Sequence, residues 1–105
     1  MPISNPASVA QLQLPTATTG TEVSNSLSDT SSVLAAANTN RKGLAIYNTL
    51  SQTVYIDVAN TVSESNYWFK LEAGAFYEMP EPIYTGIIYA MLATGTGSVE
   101  VREFV

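Results

Sequence analysis

The chain has 105 residues, a net charge of −5 at pH 7, and neither cysteine nor histidine. This length allows one domain, and the composition excludes disulfides, thiolate chemistry and imidazole-based catalysis or metal binding. Its four basic residues are scattered and no apolar run reaches about 18 residues, so we expect neither nucleic-acid binding nor a membrane span.

Residues 1–29 are predicted to form an extended N-terminal arm. They contain three of the five prolines, which favour extended backbone, and none of the ten aromatic residues needed for a core. Their sparse apolar side chains suit separate pockets on a neighbouring molecule better than one face of a helix. A disordered linker is the alternative. The candidate partner-binding residues of the arm are Ile3, Val9, Leu12 and Leu14.

Residues 30–105 are predicted to form one β-domain. Short apolar and aromatic runs alternate with turn residues at the spacing of an all-β fold, and joining strands by tight turns makes them antiparallel. We therefore expect an antiparallel β-sandwich or jelly-roll-like barrel. The predicted strands cover residues 32–37, 44–48, 53–58, 66–71, 75–79, 86–92 and 98–104.

Alternation along these strands predicts which side chains form the core. The opposite phase contains Trp68 and most of the charged residues of the strands, which should face solvent or another subunit. The predicted core residues are Leu44, Ile46, Val54, Ile56, Val58, Tyr67, Phe69, Leu71, Phe76, Ile87, Tyr89, Met91, Val99 and Val101.

Two features of the β-domain are candidate partner contacts. Trp68 faces away from the predicted core, so it could anchor an interface, stack on a sugar or be covered by the arm. Arg41 and Lys42 form the only basic pair, which could lie in a solvated turn or contact acidic groups of a partner.

The acidic residues do not predict an active site. Glu78 with Glu81, and Asp57 with Glu64, are close in sequence, but they fall on an outward strand phase or in turns, where carboxylates are usually solvated. No phosphate-binding or calcium-binding motif is present. We therefore expect a protein that is not an enzyme and has no cofactor or metal.

The β-domain resembles small structural proteins of tailed bacteriophages, including the cement or decoration proteins of cyanophage-like capsids. The likeness covers residues 31–105, and one pair, Met91 and Leu92, departs from it where a tryptophan-containing pair is expected. The resemblance implies a compact β-domain on the virion, often trimeric, with a variable N-terminal arm. Its motifs are RKGLAIYN at 41–48, VYI at 54–56, KLEAGAFYEMP at 70–80, YTGIIYA at 84–90 and ATGTGS at 93–98.

This resemblance leads to one preferred function and two alternatives. The preferred function is a capsid cement protein, made in the host cytoplasm, that sits on the capsid surface as a homotrimer and stabilises the head by binding across major-capsid subunits. The first alternative is a tail-fibre-associated or host-recognition module in which Tyr67, Trp68 and Asp57 bind glycan. The second is a free binding module with a flexible tail.

Overall fold

The computed structural model describes residues 16–105. The candidate arm contacts Ile3, Val9, Leu12 and Leu14 lie outside the described residues, so their role stays a prediction. The described part is all β, and it has no helix long and apolar enough to span a membrane.

Within residues 16–105, eight strands form two antiparallel four-stranded sheets, which confirms the predicted sandwich class. The first sheet has the order β1-β8-β3-β6 and the second has the order β2-β7-β4-β5. A single cluster of buried aliphatic side chains from both sheets fills the space between them. The strands are β1 (Gly20–Glu22), β2 (Ser32–Ala35), β3 (Gly43–Tyr47), β4 (Val54–Asp57), β5 (Phe69–Leu71), β6 (Phe76–Glu78), β7 (Ile88–Leu92) and β8 (Glu100–Phe104).

Each of the seven predicted segments overlaps one strand, but the structure adds β1 inside the segment predicted as an arm. This strand pairs with β8, and Leu27 further along is buried in the core and bridges to Gly97. The Asn25 side chain also acts like a backbone peptide, because it donates to the Val99 carbonyl oxygen at 2.8 Å and accepts from the Val99 amide at 2.9 Å. Residues 20–28 therefore belong to the β-domain.

The predicted core is correct for most of β3, β4 and β8 and wrong for several aromatic positions. Leu44, Ile46, Val54, Ile56, Leu71, Val99 and Val101 are buried in the core cluster, and Phe69 packs against it. The predicted core positions that are instead exposed are Val58, Tyr67, Phe76 and Ile87.

The errors in and beside β6 and β7 have a common physical cause, which is that both phases there carry large apolar or aromatic side chains. Val58 and Tyr67 instead lie just outside β4 and β5. In β7 the core side chains are Ile88, Ala90 and Leu92, because the last two lie opposite Ile56 and Val54 of β4. Tyr89 and Met91 therefore alternate to the other side of the sheet and lie outside the core cluster, but Met91 is buried, as predicted, at 8% exposure. Where both phases are apolar, only the pairing partner decides which face is buried.

In β6 the predicted phase is reversed for the same reason. Tyr77 lies opposite the buried Ile46 and packs against the core, whereas Phe76 lies opposite the exposed Tyr47 on the outer face of the first sheet. Phe76 is 62% exposed.

Candidate binding site

A depression of about 490 Å³ opens where β4 ends, β5 begins and β6 ends. Its volume lies in the range of small-ligand sites, and both sheets contribute to its wall. It is lined by Asp57, Val58, Trp68, Met79, Pro80, Glu81, Pro82 and Tyr84.

Trp68 is held in this depression by its backbone and by two aromatic neighbours. Its amide donates to the Ile56 carbonyl oxygen at 2.8 Å, which extends the β4–β5 pairing by one residue. The indole ring meets Phe69 at 4.8 Å and Tyr77 at 5.9 Å between ring centroids, both with the ring planes at 80°. The side chain is still 44% exposed, so the depression presents a fixed aromatic surface.

The support beneath Trp68 is a stacked pair that joins the two sheets. The rings of Phe69 in β5 and Tyr77 in β6 lie 4.1 Å apart at an angle of 25°. The Tyr77 hydroxyl is buried without a hydrogen-bond partner among the described residues, and burial raises the pKa of this phenol.

We expect Tyr77→Phe to raise the free energy of unfolding at pH 7 by about 1 kcal/mol, because it removes an unsatisfied buried hydroxyl and keeps the ring stack. In the parent protein the unfolded tyrosine ionises near its ordinary pKa of 10.0, below the raised folded value. Stability from this residue is therefore fully present below about pH 10 and declines as the pH rises further. Urea unfolding of both proteins at about pH 7 and pH 10.5 tests this, and a less stable phenylalanine variant would show that the hydroxyl has a partner.

Arg41 lies inside the domain, which corrects its assignment as a surface contact. Its side chain is fully buried, and its Nε donates to Glu103 Oε2 at 2.7 Å. Nη1 donates to the carbonyl oxygens of Tyr84 at 2.7 Å and Gly86 at 3.0 Å, and Nη2 donates to that of Ala36 at 2.7 Å. One carboxylate and three carbonyls thus match the fixed donor fork of the guanidinium, and they compensate its charge.

This arrangement separates the two residues of the predicted basic pair. Lys42 is exposed, and only its backbone amide is engaged, donating to the Phe104 carbonyl oxygen at 2.7 Å. Arg41 instead fixes the backbone of the segment around Tyr84, a residue that lines the depression. Arg41 therefore positions a wall of the depression and does not contact a ligand there.

The charges at the depression are all negative. Asp57 and Glu81 are its only charged residues, and no basic side chain of the described part lines it. One oxygen of Asp57 accepts the Val58 amide at 2.7 Å, which leaves the other carboxylate oxygen unengaged by hydrogen bonds in residues 16–105.

Most basic side chains are already paired with acids elsewhere. Lys70 lies 3.6 Å from Glu72, and Arg102 lies 3.4 Å from Glu100. The Thr53 hydroxyl donates to Glu72 at 2.6 Å, and this hydrogen bond, more than the nearby Lys70, lowers the pKa of the Glu72 carboxyl. These exposed pairs lie outside the depression lining and leave its two carboxylates uncompensated.

The structure brings together only some of the residues suggested by the sequence. Asp57 and Trp68 line the same depression, whereas the Tyr67 ring packs on Tyr55 at 5.3 Å and is not part of the lining. Glu81 lines the depression, whereas Glu78 does not. Within residues 16–105, no cluster of three or more acidic side chains could hold a metal ion.

The sequence reasoning missed the wall formed by residues 79–84. Residues 80–85 fall between two predicted strands and carried no predicted site, yet Pro80, Pro82 and Tyr84 line the depression. Comparison with known proteins adds no further site information, because no family model, curated protein or solved structure matches the chain.

Proposed function

We propose that the protein is a structural protein of a tailed-phage virion, specifically a cement protein that binds across major-capsid subunits on the head surface. The observation that carries the proposal is the number of large apolar side chains exposed on a small domain with few charges. Single exposed apolar residues are common, but exposed aromatic residues that lie side by side, as Tyr47 and Phe76 do, often mark contacts with other proteins. The exposed residues are Val33, Tyr47, Val58, Tyr67, Trp68, Phe76, Tyr84, Ile87 and Phe104.

On the first sheet, the exposed apolar residues lie on the outer face. Tyr47 of β3 and Phe76 of β6 lie directly opposite each other and are both exposed. Phe104 of β8 lies on the same face, with its ring over Gly20 and Gly43 of the neighbouring strands. The rest of this face is charged, as is usual for a solvated sandwich, and includes Glu22, Glu78, Glu100 and Arg102. The exposed Tyr47–Phe76 pair therefore supports a local contact with another subunit.

The outer face of the second sheet carries apolar and aromatic side chains beside the charged Asp57 and Lys70. Val33 lies opposite Tyr89, Tyr55 lies opposite Met91, and the Tyr55 ring packs on Tyr67. Exposed apolar residues on the outer faces of both sheets, such as Phe76 and Val33, fit a homotrimer whose subunits contact both sister copies and the capsid. The arm residues Ile3, Val9, Leu12 and Leu14, together with Lys42, would add contacts to the same surface. Repetition of such contacts over a shell gives strong net binding through avidity.

A direct test begins with virions of the phage whose genome carries the gene. We expect mass spectrometry to find the protein in purified heads, and heads made without it to release DNA at a lower temperature. Purified protein added back should bind these heads and restore the release temperature. Detection in the tail fraction alone would overturn the cement function.

The outer face of the first sheet provides variants for this assay. We expect Phe76→Ser to lower head binding or trimer formation at least tenfold, since truncating an apolar interface anchor costs about 2 kcal/mol or more. Because Phe76 is mostly exposed, its replacement should leave the urea midpoint almost unchanged. Thr49→Ser, an exposed change in a loop, is the control. Equal head binding and oligomerisation by both variants would contradict a role for this face.

Glycan recognition is the second candidate, and one observation favours it. Trp68 and Asp57 line one depression, and an aromatic ring beside a carboxylate is a common sugar-binding arrangement. The absence of Tyr67 from the lining and the aliphatic and proline-rich wall make it the weaker candidate.

A further inference from the structure

The wall of the Trp68 depression is largely aliphatic, which suits a ligand with an extended apolar part. Met79 is buried at its base, and Val58, Pro80 and Pro82 add aliphatic surface. At about 490 Å³ the depression is larger than one side chain, so it has room for a residue of a polypeptide together with its neighbours.

The negative charge of the depression limits the charge of the ligand that can bind there. Its carboxylates, Asp57 and Glu81, have no basic side chain beside them in the lining, and the whole chain carries a net charge of −5. An anionic ligand would be repelled, whereas a cation would gain an ion pair next to apolar walls that weaken screening by water.

The aromatic lining distinguishes between cations. Trp68 is the residue type that attracts a cation most strongly through its ring, and Tyr84 adds a second aromatic side chain. A guanidinium stacks on aromatic rings, gives up its hydration more easily than an ammonium and donates to carboxylates through a planar fork.

We propose that this depression binds an arginine side chain of a partner polypeptide. The alkyl part of the arginine would lie along Met79 and the prolines, and the guanidinium would lie between Trp68 and the carboxylates of Asp57 and Glu81. This inference concerns the ligand of the depression and does not depend on the proposed virion function.

Trp68 is the only tryptophan of the chain, so its fluorescence reports directly on the depression. The probe is N-acetyl-L-arginine methylamide, and the matched control is the citrulline analogue, which has nearly the same shape without the charge. We expect a saturable fluorescence change with the arginine probe at a Kd at least fivefold lower than with citrulline. Raising the salt concentration should weaken the arginine binding and leave the citrulline binding unchanged.

Three variants of the full chain test whether the arginine probe binds at the carboxylates of the depression. Asp57→Asn and Glu81→Gln should each raise the Kd for the arginine probe at least threefold, and the asparagine keeps an oxygen for the Val58 amide. Glu64→Gln removes an exposed carboxylate that is not part of the lining and should leave the Kd unchanged. All three should have the urea midpoint of the parent protein.

Three results would overturn the proposal. Equal affinity for the arginine and citrulline probes would show an apolar site without cation selectivity. An equal loss from Glu64→Gln would show a general charge effect. Saturable binding of methyl glycosides without binding of the arginine probe would assign the depression to a saccharide.

Discussion

Arg41→Ala is expected to lower the free energy of unfolding by about 3–5 kcal/mol, the cost of leaving a buried charge network without one partner. Small domains have a total stability of about 5–15 kcal/mol, so this change would bring the protein near the limit of folding. The adjacent change Lys42→Ala should cost less than about 0.5 kcal/mol, because Lys42 is exposed and outside every ion pair of the described residues.

The large effect arises because removing the guanidinium leaves its buried hydrogen-bond acceptors without a donor. Glu103, nearly buried, would keep only the hydrogen bond from Asn38 Nδ2 at 3.1 Å. The carbonyls of Ala36, Tyr84 and Gly86 would lose their donor as well. Each buried group left without a partner costs about 1–3 kcal/mol, so the losses accumulate.

Urea unfolding of the two alanine variants tests this difference. Arg41→Lys should be nearly as unstable as Arg41→Ala, since an ammonium cannot reach four acceptors that lie in a fork. The double change Arg41→Met with Glu103→Leu should recover part of the loss by removing the unpaired charge. Similar stability of Arg41→Ala and Lys42→Ala would show that the buried network contributes little.

The position of Arg41 also explains why sequence reasoning misplaced it. A basic pair beside a strand is usually solvated, and its burial depends on Glu103, which lies 62 residues further along the chain. The sequence around Arg41 does not indicate that Glu103 is its partner. The exposure of Trp68 was easier to predict, because the alternation of core residues within one strand places it on the outward phase. Trp68 is indeed exposed.

Strand positions were predictable because turn residues and apolar runs are local signals. β1 was missed because Gly20–Glu22 has no apolar alternation, and it exists through hydrogen bonds to the free side of β8. The depression forms only because β4 pairs with β5 and because the chain after β6 lies beside them. These long-range contacts are not visible in the local sequence, so the sequence suggested only Asp57 and Trp68 as binding residues of this site.

Asn48 is the second residue for which we expect a large effect, and it too is buried through distant partners. It follows β3 and is completely buried. The two N–H groups of its Nδ2 are shared among three carbonyl oxygens, those of Gln52 at 2.8 Å, Leu71 at 3.0 Å and Glu72 at 3.1 Å, and its Oδ1 accepts the Leu50 amide at 2.9 Å. One side chain therefore ties the β3–β4 loop to the end of β5.

Asn48→Asp keeps the shape of this side chain and is expected to cost about 3 kcal/mol or more at pH 7. It replaces the donor with an oxygen that faces three carbonyls, and a buried negative charge there has no compensating partner. Asn66→Asp is the matched control, because the Asn66 side-chain amide makes only exposed contacts with Thr61, at 3.3 Å to its carbonyl oxygen and 3.5 Å to its hydroxyl oxygen. This change should cost less than about 0.5 kcal/mol.

The pH dependence separates a charge effect from a packing effect at Asn48. Burial without a cation raises the pKa of the introduced carboxyl in the folded state above its unfolded value of about 4, so the folded state binds the proton more tightly. The penalty should therefore shrink as the pH falls from about 7 to 4, where the protonated group can again donate to a carbonyl. Urea unfolding of the parent, Asn48→Asp and Asn66→Asp at both pH values measures this. A penalty at Asn48 that does not change with pH would mean that packing, and not the lost donor and added charge, makes this position essential.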